Sequence, residues 1–167
     1  EMKRIRVGLS VSEFRKAAEE VEKYKKEIIR KTRKLAERLA EEGVELAKIK
    51  ISEYPAIDTG ELLNSMQAEA GDVIQYGSKW IVFTDCPHAA YVEFGTGIVG
   101  ERDPHPDTSL VGWRYDINEH GEAGWHYYKN GEWHWTKGMQ SRPFMYETGR
   151  DLRMKVSKIA KEVFADD

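Results

Sequence analysis

The chain has little cysteine, little proline and no long apolar run. Its single cysteine, Cys86, excludes an intrachain disulfide framework. No apolar segment approaches the roughly 20 residues needed to span a bilayer, and the start lacks the apolar core of a signal peptide, so we expect neither membrane insertion nor secretion. A chain of 167 residues with 40% hydrophobic content can bury roughly 70% of its unfolded surface. We therefore predict one domain over residues 2–167.

Charge is distributed unevenly along the chain. The net charge of -3 argues against a general nucleic-acid binder, yet residues 23–38 hold eight basic and two acidic side chains, and residues 39–72 hold eight acidic and two basic ones. Either these charges meet within one solvated helix, or the basic face of one copy meets the acidic face of the next in a head-to-tail ring. The candidate contact residues in the basic stretch are Lys25, Lys26, Arg30 and Arg33.

A long amphipathic helix is predicted near the start. Ser10 or Ser12 offers an N-cap, and Ser10 with Glu13 has the spacing of a capping box. Apolar residues recur every three or four positions from Phe14 to Ala40. A helix over Ser12–Gly43 would be about 48 Å long, longer than the roughly 40 Å diameter of a compact chain of this size. We therefore expect the helix to extend beyond the domain, with Gly43 bending or interrupting it.

The remaining pattern predicts an α+β fold, with a small antiparallel sheet flanked by the long N-terminal helix and a shorter C-terminal helix. Alternation at Ile5, Val7 and Leu9 predicts a short first strand. After Pro55, which ends any continuation of the long helix, we expect Asp58 to cap a short helix with Glu61 at its third position. The other predicted elements are strands within 65–84 broken at Gly71–Asp72 and Gly77–Ser78, a helical turn over His88–Phe94, and a last helix after Pro143.

An aromatic insertion is predicted over residues 98–137. Within it, residues 124–128 and 132–136 flank Asn130 and Gly131, a pair that favours a tight hairpin turn with positive φ. Three tryptophans of this hairpin are candidates for subunit or partner contact: Trp125, Trp133 and Trp135.

The sequence contains no strong motif for catalysis or for metal binding. The histidines match neither the HExxH nor the paired CxxC pattern of zinc sites, and Cys86 beside His88 shows no orienting partner, so we expect a buried structural cysteine and no metal, cofactor or catalytic residue. The string GTGIVG at 95–100 lacks the Lys of a phosphate-binding loop and opens no evident helix. Asp58 and Glu93, with the tryptophans, leave a carbohydrate- or peptidoglycan-active protein as an alternative.

Three glycine-marked strings carry a resemblance to a known family: AIDTGELLNSM at 56–66, HAAYVEFGTG at 88–97 and SRPFMYETG at 141–149. Together they resemble the neck and tail-completion (head-tail joining, minor tail component) proteins of long-tailed double-stranded DNA bacteriophages. The resemblance implies structural junctions at the signature positions Asp58, Thr59, Gly60, Glu93, Phe94, Gly95, Thr96, Gly97, Pro143 and Phe144.

The same resemblance implies a non-enzymatic virion protein made in the host cytoplasm and placed at the head-tail neck. It would form a homo-oligomeric ring around genomic DNA, without sequence-specific binding, between a head-closure or connector protein and tail terminator or tail-tube proteins. A nucleic-acid-binding module that uses the basic stretch is a further alternative.

Overall fold

A computed structural model describes residues 5, 8, 10–54, 60–107, 109 and 112–165. It contains, in chain order, helix α1 (Val11–Glu53), helix α2 (Glu61–Asn64), strands β1 (Gln67–Ile74) and β2 (Gly77–Phe83), helices α3 (Ala89–Phe94) and α4 (Gly97–Arg102), a 3-10 turn (Gly121–Ala123), strands β3 (Trp125–Lys129) and β4 (Glu132–Thr136), and helix α5 (Phe144–Ala165). The predicted α+β fold, with its long first helix, shorter last helix and antiparallel strands, is confirmed. The strands form two separate two-stranded sheets.

Helix α1 begins where the local sequence predicts. The Ser10 Oγ accepts a hydrogen bond from the Glu13 N–H at 3.3 Å, and the Glu13 carboxylate accepts one from the Ser10 N–H at 3.1 Å. Both halves of the capping box are therefore formed. The Ser10 hydroxyl also donates to the Glu13 carboxylate at 2.6 Å, and this bond, followed by the one from the Ser10 N–H, lowers the pKa of Glu13.

The predicted break at Gly43 is wrong, because α1 continues without interruption to Glu53. Gly43 is buried, and a Cβ atom there would lie 3.1 Å from Val82 Cγ2 and 3.6 Å from Leu152 Cδ2. The glycine thus lets β2 and α5 approach the helix closely. With 43 residues, α1 is about 64 Å long.

Helix α5 packs antiparallel against the second half of α1. Three lysine contacts set the register between the two helices: Lys31 Nζ with the Phe164 carbonyl at 3.2 Å, Lys155 with Glu42, and Lys50 Nζ with Asp151 Oδ2 at 3.0 Å. Since Lys31 lies opposite the last turn of α5, the residues before it extend past that helix. We call Val11–Arg30 the projecting segment; it is about 30 Å long.

The β1–β2 hairpin packs on α1 through β2. Its register shifts between Ala70 and Val73, so Gly71–Asp72 marks an irregularity within β1. Gly77 and Ser78 pair within the ladder, with Ile74 and Val73 respectively. The predicted break at Gly77–Ser78 is therefore wrong, and the chain reverses just before it.

One apolar cluster of the described residues joins α1, α2, α3 and α5. It consists of Ala47, Ile51, Leu62, Met66, Cys86, Ala89 and Phe144. Phe144 is 1% exposed, and full burial of such a side chain stabilises by about 2–3 kcal/mol. Each of the three glycine-marked strings supplies at least one member of this cluster, so the described parts of strings distant in sequence meet in one core.

Gly60 determines the backbone direction at the start of α2. Gly60 adopts φ +73° at the N-cap, and Glu61 is the first helical residue rather than the third, which corrects the prediction. The predicted cap Asp58 and its neighbour Thr59 lie outside the described residues, as do Pro55, Val7 and Leu9.

In the described part of the chain, no helix combines the length and the apolar character that crossing a bilayer requires.

Candidate functional site

The second and third strings lie against each other in the structure. Thr96 and Met139 exchange two backbone hydrogen bonds of 2.8 and 3.0 Å, and the Arg142 N–H donates to the Val92 carbonyl at 2.8 Å. The Ser141 hydroxyl donates to the Glu93 carbonyl at 2.6 Å. We call this region, Glu93–Gly97 together with Met139–Phe144, the junction.

Glu93 holds the junction to α5. Its buried carboxylate accepts hydrogen bonds from the Met145 N–H at 2.8 Å, the Tyr146 N–H at 3.0 Å and His105 Nε2 at 3.1 Å. It therefore caps the N-terminus of α5 from a different element, where a negative charge also complements the helix dipole. Both carboxylate oxygens of Glu93, one of the predicted signature residues, therefore accept hydrogen bonds from within the fold.

His105 was not among the predicted site residues, yet it is buried in this network. Its Nδ1 accepts the Asp107 N–H at 3.1 Å, which leaves the proton on Nε2, where it donates to Glu93. The ring is thus satisfied as a neutral imidazole. Only its spatial neighbours, and no sequence motif, identify its role.

Two glycines give the junction its shape, as predicted. Gly95 and Gly97 adopt φ values of +81° and +60°, which side chains other than hydrogen disfavour. A Cβ atom at Gly95 would lie 2.7 Å from the Ser141 nitrogen. Gly97 also begins α4, so the expectation that GTGIVG opens no helix is wrong.

An aromatic group covers the junction. The Phe94 ring centroid lies 4.9 Å from that of Trp113 and 5.0 Å from that of His105, and Trp113 Nε1 donates to the Gly95 carbonyl at 3.2 Å. Phe94 therefore has a packing role, while Pro143 directly precedes α5, which begins at Phe144 as predicted.

The predicted hairpin is confirmed, and its three tryptophans separate into two groups. Asn130 and Gly131 both have positive φ. Strands β3 and β4 pair antiparallel with Lys129 opposite Glu132, so β3 lies one residue later than the predicted 124–128. Trp125 is half-buried beside His120, 4.9 Å away, and contacts the junction near Gly97. Trp133 and Trp135 alternate along β4 and are 69% and 54% exposed, so they remain candidates for partner contact.

The projecting segment exposes apolar side chains. Val11 is 73% exposed and Phe14 58% exposed, and Val21 and Tyr24 are also exposed. These residues continue the same helical face that is buried farther along α1. An exposed row of this kind is typical of a surface that another chain covers.

The basic residues lie where this segment meets the packed half of α1. Lys26, Arg30 and Arg33 surround Ile29 at a shallow depression of about 310 Å³, and Arg33 Nε donates to the Gly77 carbonyl at 3.4 Å. Lys25 pairs with Glu22 at 3.9 Å. Some of the basic charge therefore meets acidic side chains within α1, as one of the two interpretations predicted.

A cleft of about 740 Å³ lies between α3, the loop over residues 113–120 and the β3–β4 hairpin. Its lining includes Tyr91, Trp113, Trp125, Tyr127, Arg114 and Asp116. The Gly121 N–H, which donates to Asp116 at 2.7 Å, holds the pKa of that carboxyl below its ordinary value. The cleft thus combines aromatic faces with a fixed negative charge.

A second polar group lies beside the core. Cys86 is buried, as expected, and its Sγ lies 3.2 Å from His88 Nδ1. Glu61 Oε2 lies 3.9 Å from the same nitrogen. Sequence spacing identifies only the Cys86–His88 pair, because Glu61 joins it through the packing of α2 against the β2–α3 connection.

Comparisons of the chain with protein-family models, with curated proteins and with solved structures found no match.

Proposed function

We propose that the protein is a structural component of the head-tail neck of a long-tailed bacteriophage and that it assembles as a ring. This proposal rests mainly on the projecting segment, in which an amphipathic helix continues about 30 Å past α5. Its large apolar side chains Phe14 and Val21 are exposed, whereas the small Ala17 between them is buried. Exposing such a face costs free energy in water, and a neighbouring subunit would cover it.

Charge supports a head-to-tail arrangement. A basic patch of Lys26, Arg30 and Arg33 lies where the projecting segment meets the packed half of α1. Exposed acidic residues follow farther along the chain: Glu69 and Asp72 on β1, and Glu41, Glu45 and Glu53, which also pair with basic side chains of α1. A basic patch of one copy against an acidic patch of the next is a heterologous contact, and heterologous contacts close into rings when the rotation permits.

The signature positions support a structural role. Glu93 caps α5, Gly95 and Gly97 shape the junction, and Phe144 fills the core. Each of these has a packing or backbone role that accounts for its residue type. The exposed Trp133 and Trp135 are then the surface available to a connector or tail-tube protein.

The experiment compares particles made with and without the protein in a phage that encodes it. Electron microscopy of particles lacking it is expected to show unjoined heads and tails. Complementation with Phe14→Ser plus Val21→Ser is expected to fail, whereas the control Met154→Ser, an exposed apolar residue on α5, is expected to restore joining. Infectious particles formed without the protein would refute the proposal.

The aromatic cleft favours a second candidate function, glycan binding. Aromatic faces beside a charged carboxylate suit the apolar faces and hydroxyl groups of a sugar. Since the Glu93 oxygens are engaged by α5 and His105, this candidate is a binding function. Titration with soluble peptidoglycan fragments, compared between the wild type and Tyr127→Ala, tests it; equal or absent binding would refute it.

A further inference from the structure

We propose that Glu61, Cys86 and His88 form a binding site for Zn²⁺, independent of any role in the neck. Their ligand atoms, a carboxylate oxygen, a thiol sulfur and an imidazole nitrogen, all lie within 4.8 Å of one another. The three residues come from the first turn of α2 and from the segment that joins β2 to α3. Two of the three glycine-marked strings thus contribute one ligand each, and Cys86 precedes the second string.

The separations are close to those of a tetrahedral site. Bonds of about 2.0–2.3 Å to zinc place neighbouring ligand atoms about 3.3–3.7 Å apart. Here Cys86 Sγ and His88 Nδ1 are 3.2 Å apart, and His88 Nδ1 and Glu61 Oε2 are 3.9 Å apart. Movements of about 1 Å would bring all three ligand atoms to the separations that tetrahedral zinc coordination requires.

The group combines one fixed ligand with two that can adjust. Cys86 is buried in the core, and its backbone is held by the Thr84 hydroxyl at 3.1 Å and by the Ala89 N–H at 3.0 Å. His88 and Glu61 are exposed, so the site borders solvent on their side, and rotation of these two side chains would bring their ligand atoms to an ion beside the buried sulfur.

The ligand types select the metal. A sulfur ligand with an imidazole favours zinc over magnesium and calcium, which prefer oxygen ligands. Binding replaces the S–H bond of Cys86 by an S–Zn bond and releases the proton to solvent, so affinity should rise with pH. Three protein ligands leave the fourth position to a water molecule.

A bound ion would connect α2 to the start of α3 beside the apolar cluster that contains Leu62 and Ala89. Residues 61 and 86 are separated by the whole β1–β2 hairpin, so the ion would close this loop in the folded state only. Zinc is therefore expected to raise the thermal unfolding temperature.

The experiment titrates Zn²⁺, and Co²⁺ as a spectroscopic probe, into the chelator-treated full chain. We expect one ion per chain, a Co²⁺–thiolate charge-transfer band, proton release and a higher melting temperature. His88→Gln and Glu61→Gln alter exposed side chains and are expected to weaken Zn²⁺ binding at least about 10-fold, a loss typical even of outer-shell partners. Cys86→Ser should abolish the charge-transfer band.

His126→Gln is the matched control, because His126 is an exposed histidine on β3, away from Cys86. It is expected to bind zinc like the wild type. Co²⁺ binding without a thiolate band, or zinc binding that His126→Gln weakens and His88→Gln does not, would overturn the proposal. If Cys86→Ser fails to fold, the comparison of His88→Gln with His126→Gln decides.

Discussion

The two halves of α1 have the same helical pattern and opposite surroundings. From Lys31 to Glu53 the apolar face packs against β2 and α5, and Ala40, Leu46 and Ala47 are buried. In the projecting segment the same face bears Phe14 and Val21, both more than half exposed. Apolar periodicity therefore predicts which face of a helix is buried by a partner, but it does not predict whether that partner belongs to the same chain.

Because the two halves of α1 differ in exposure, the stability of the isolated chain and its assembly with other chains can be measured independently. Changes in the packed half of α1 and in the junction should lower the stability of the isolated chain, because their partners belong to that chain. Changes at the exposed residues of the projecting segment should leave the free energy of unfolding unchanged and alter assembly. Four predictions test this division.

The largest expected effect is at Glu93. Replacing it with alanine leaves the N–H groups of Met145 and Tyr146, and His105, without their acceptor. We expect Glu93→Ala to lower the free energy of unfolding in urea by about 3 kcal/mol. Glu132→Ala, at an exposed position of β4, is the control and should change it by less than about 0.5 kcal/mol. Equal effects would contradict the capping role.

Gly95→Ala is expected to cost about 2 kcal/mol. The added methyl group would lie 2.7 Å from the Ser141 nitrogen and 2.8 Å from the Met139 oxygen, at a φ of +81°. Gly149→Ala is the opposite control, because Gly149 lies within α5 and a Cβ there would meet nothing within 4 Å. It should stabilise by about 0.5–1 kcal/mol. Denaturant unfolding that ranks both variants alike would contradict the strained turn.

A smaller effect is expected at alkaline pH. Burial, the largest cause, raises the pKa of Tyr54 to about 12, whereas the phenol of an unfolded chain loses its proton near pH 10. Between these values the folded state binds more protons, so its stability falls as the pH rises. Tyr54→Phe should remove this part of the fall, at most about 1 kcal/mol by pH 11 after solvent screening.

Urea unfolding at pH 8 and pH 11 provides the measurement, with Tyr128→Phe on the exposed hairpin as control. The hydrogen bond to Asp151 raises the pKa of Lys50 above its ordinary value, so Lys50 also contributes to the alkaline pH dependence. Its contribution is complete below the unfolded value and is lost as the pH rises through the folded one. Lys50 is present in all three proteins, so an unchanged fall in Tyr54→Phe would contradict the assignment to Tyr54.

The smallest expected effect on stability is in the projecting segment. Phe14→Ser with Val21→Ser should change the free energy of unfolding by less than about 0.5 kcal/mol, since both side chains are exposed. Leu46→Ala in the packed half, where Leu46 is 6% exposed, should cost about 3 kcal/mol. A double variant as unstable as Leu46→Ala would show that the projecting segment packs within its own chain, which would contradict the contrast between the two halves of α1.

Local signals in the sequence predicted local structure well. Ser10 with Glu13 placed the start of α1, and Asn130 with Gly131 placed the hairpin turn. Both depend on residues within a few positions of one another, whose chemistry acts through the adjacent backbone. The helix that follows Pro143 was predicted on the same basis.

Contacts between distant residues could not be predicted in the same way. The capping of α5 by Glu93 joins residues 52 and 53 positions apart, and no periodicity records such a pairing. Gly43 misled the prediction because glycine weakens an isolated helix, whereas here its missing side chain admits β2 and α5. Glu61 joins Cys86 and His88 for the same reason, through packing alone.

The lysine contacts between α1 and α5 determine how far α1 extends past α5. Lys31 binds the Phe164 carbonyl at one end of the pair, and Lys50 binds Asp151 near the other. Sliding α5 by one turn would shift both partners by about 5.4 Å and break the two contacts together. Together with the contact of Lys155 with Glu42, these contacts fix how far α1 extends past α5, so an assembly of repeated copies would have a constant spacing set by three amino groups.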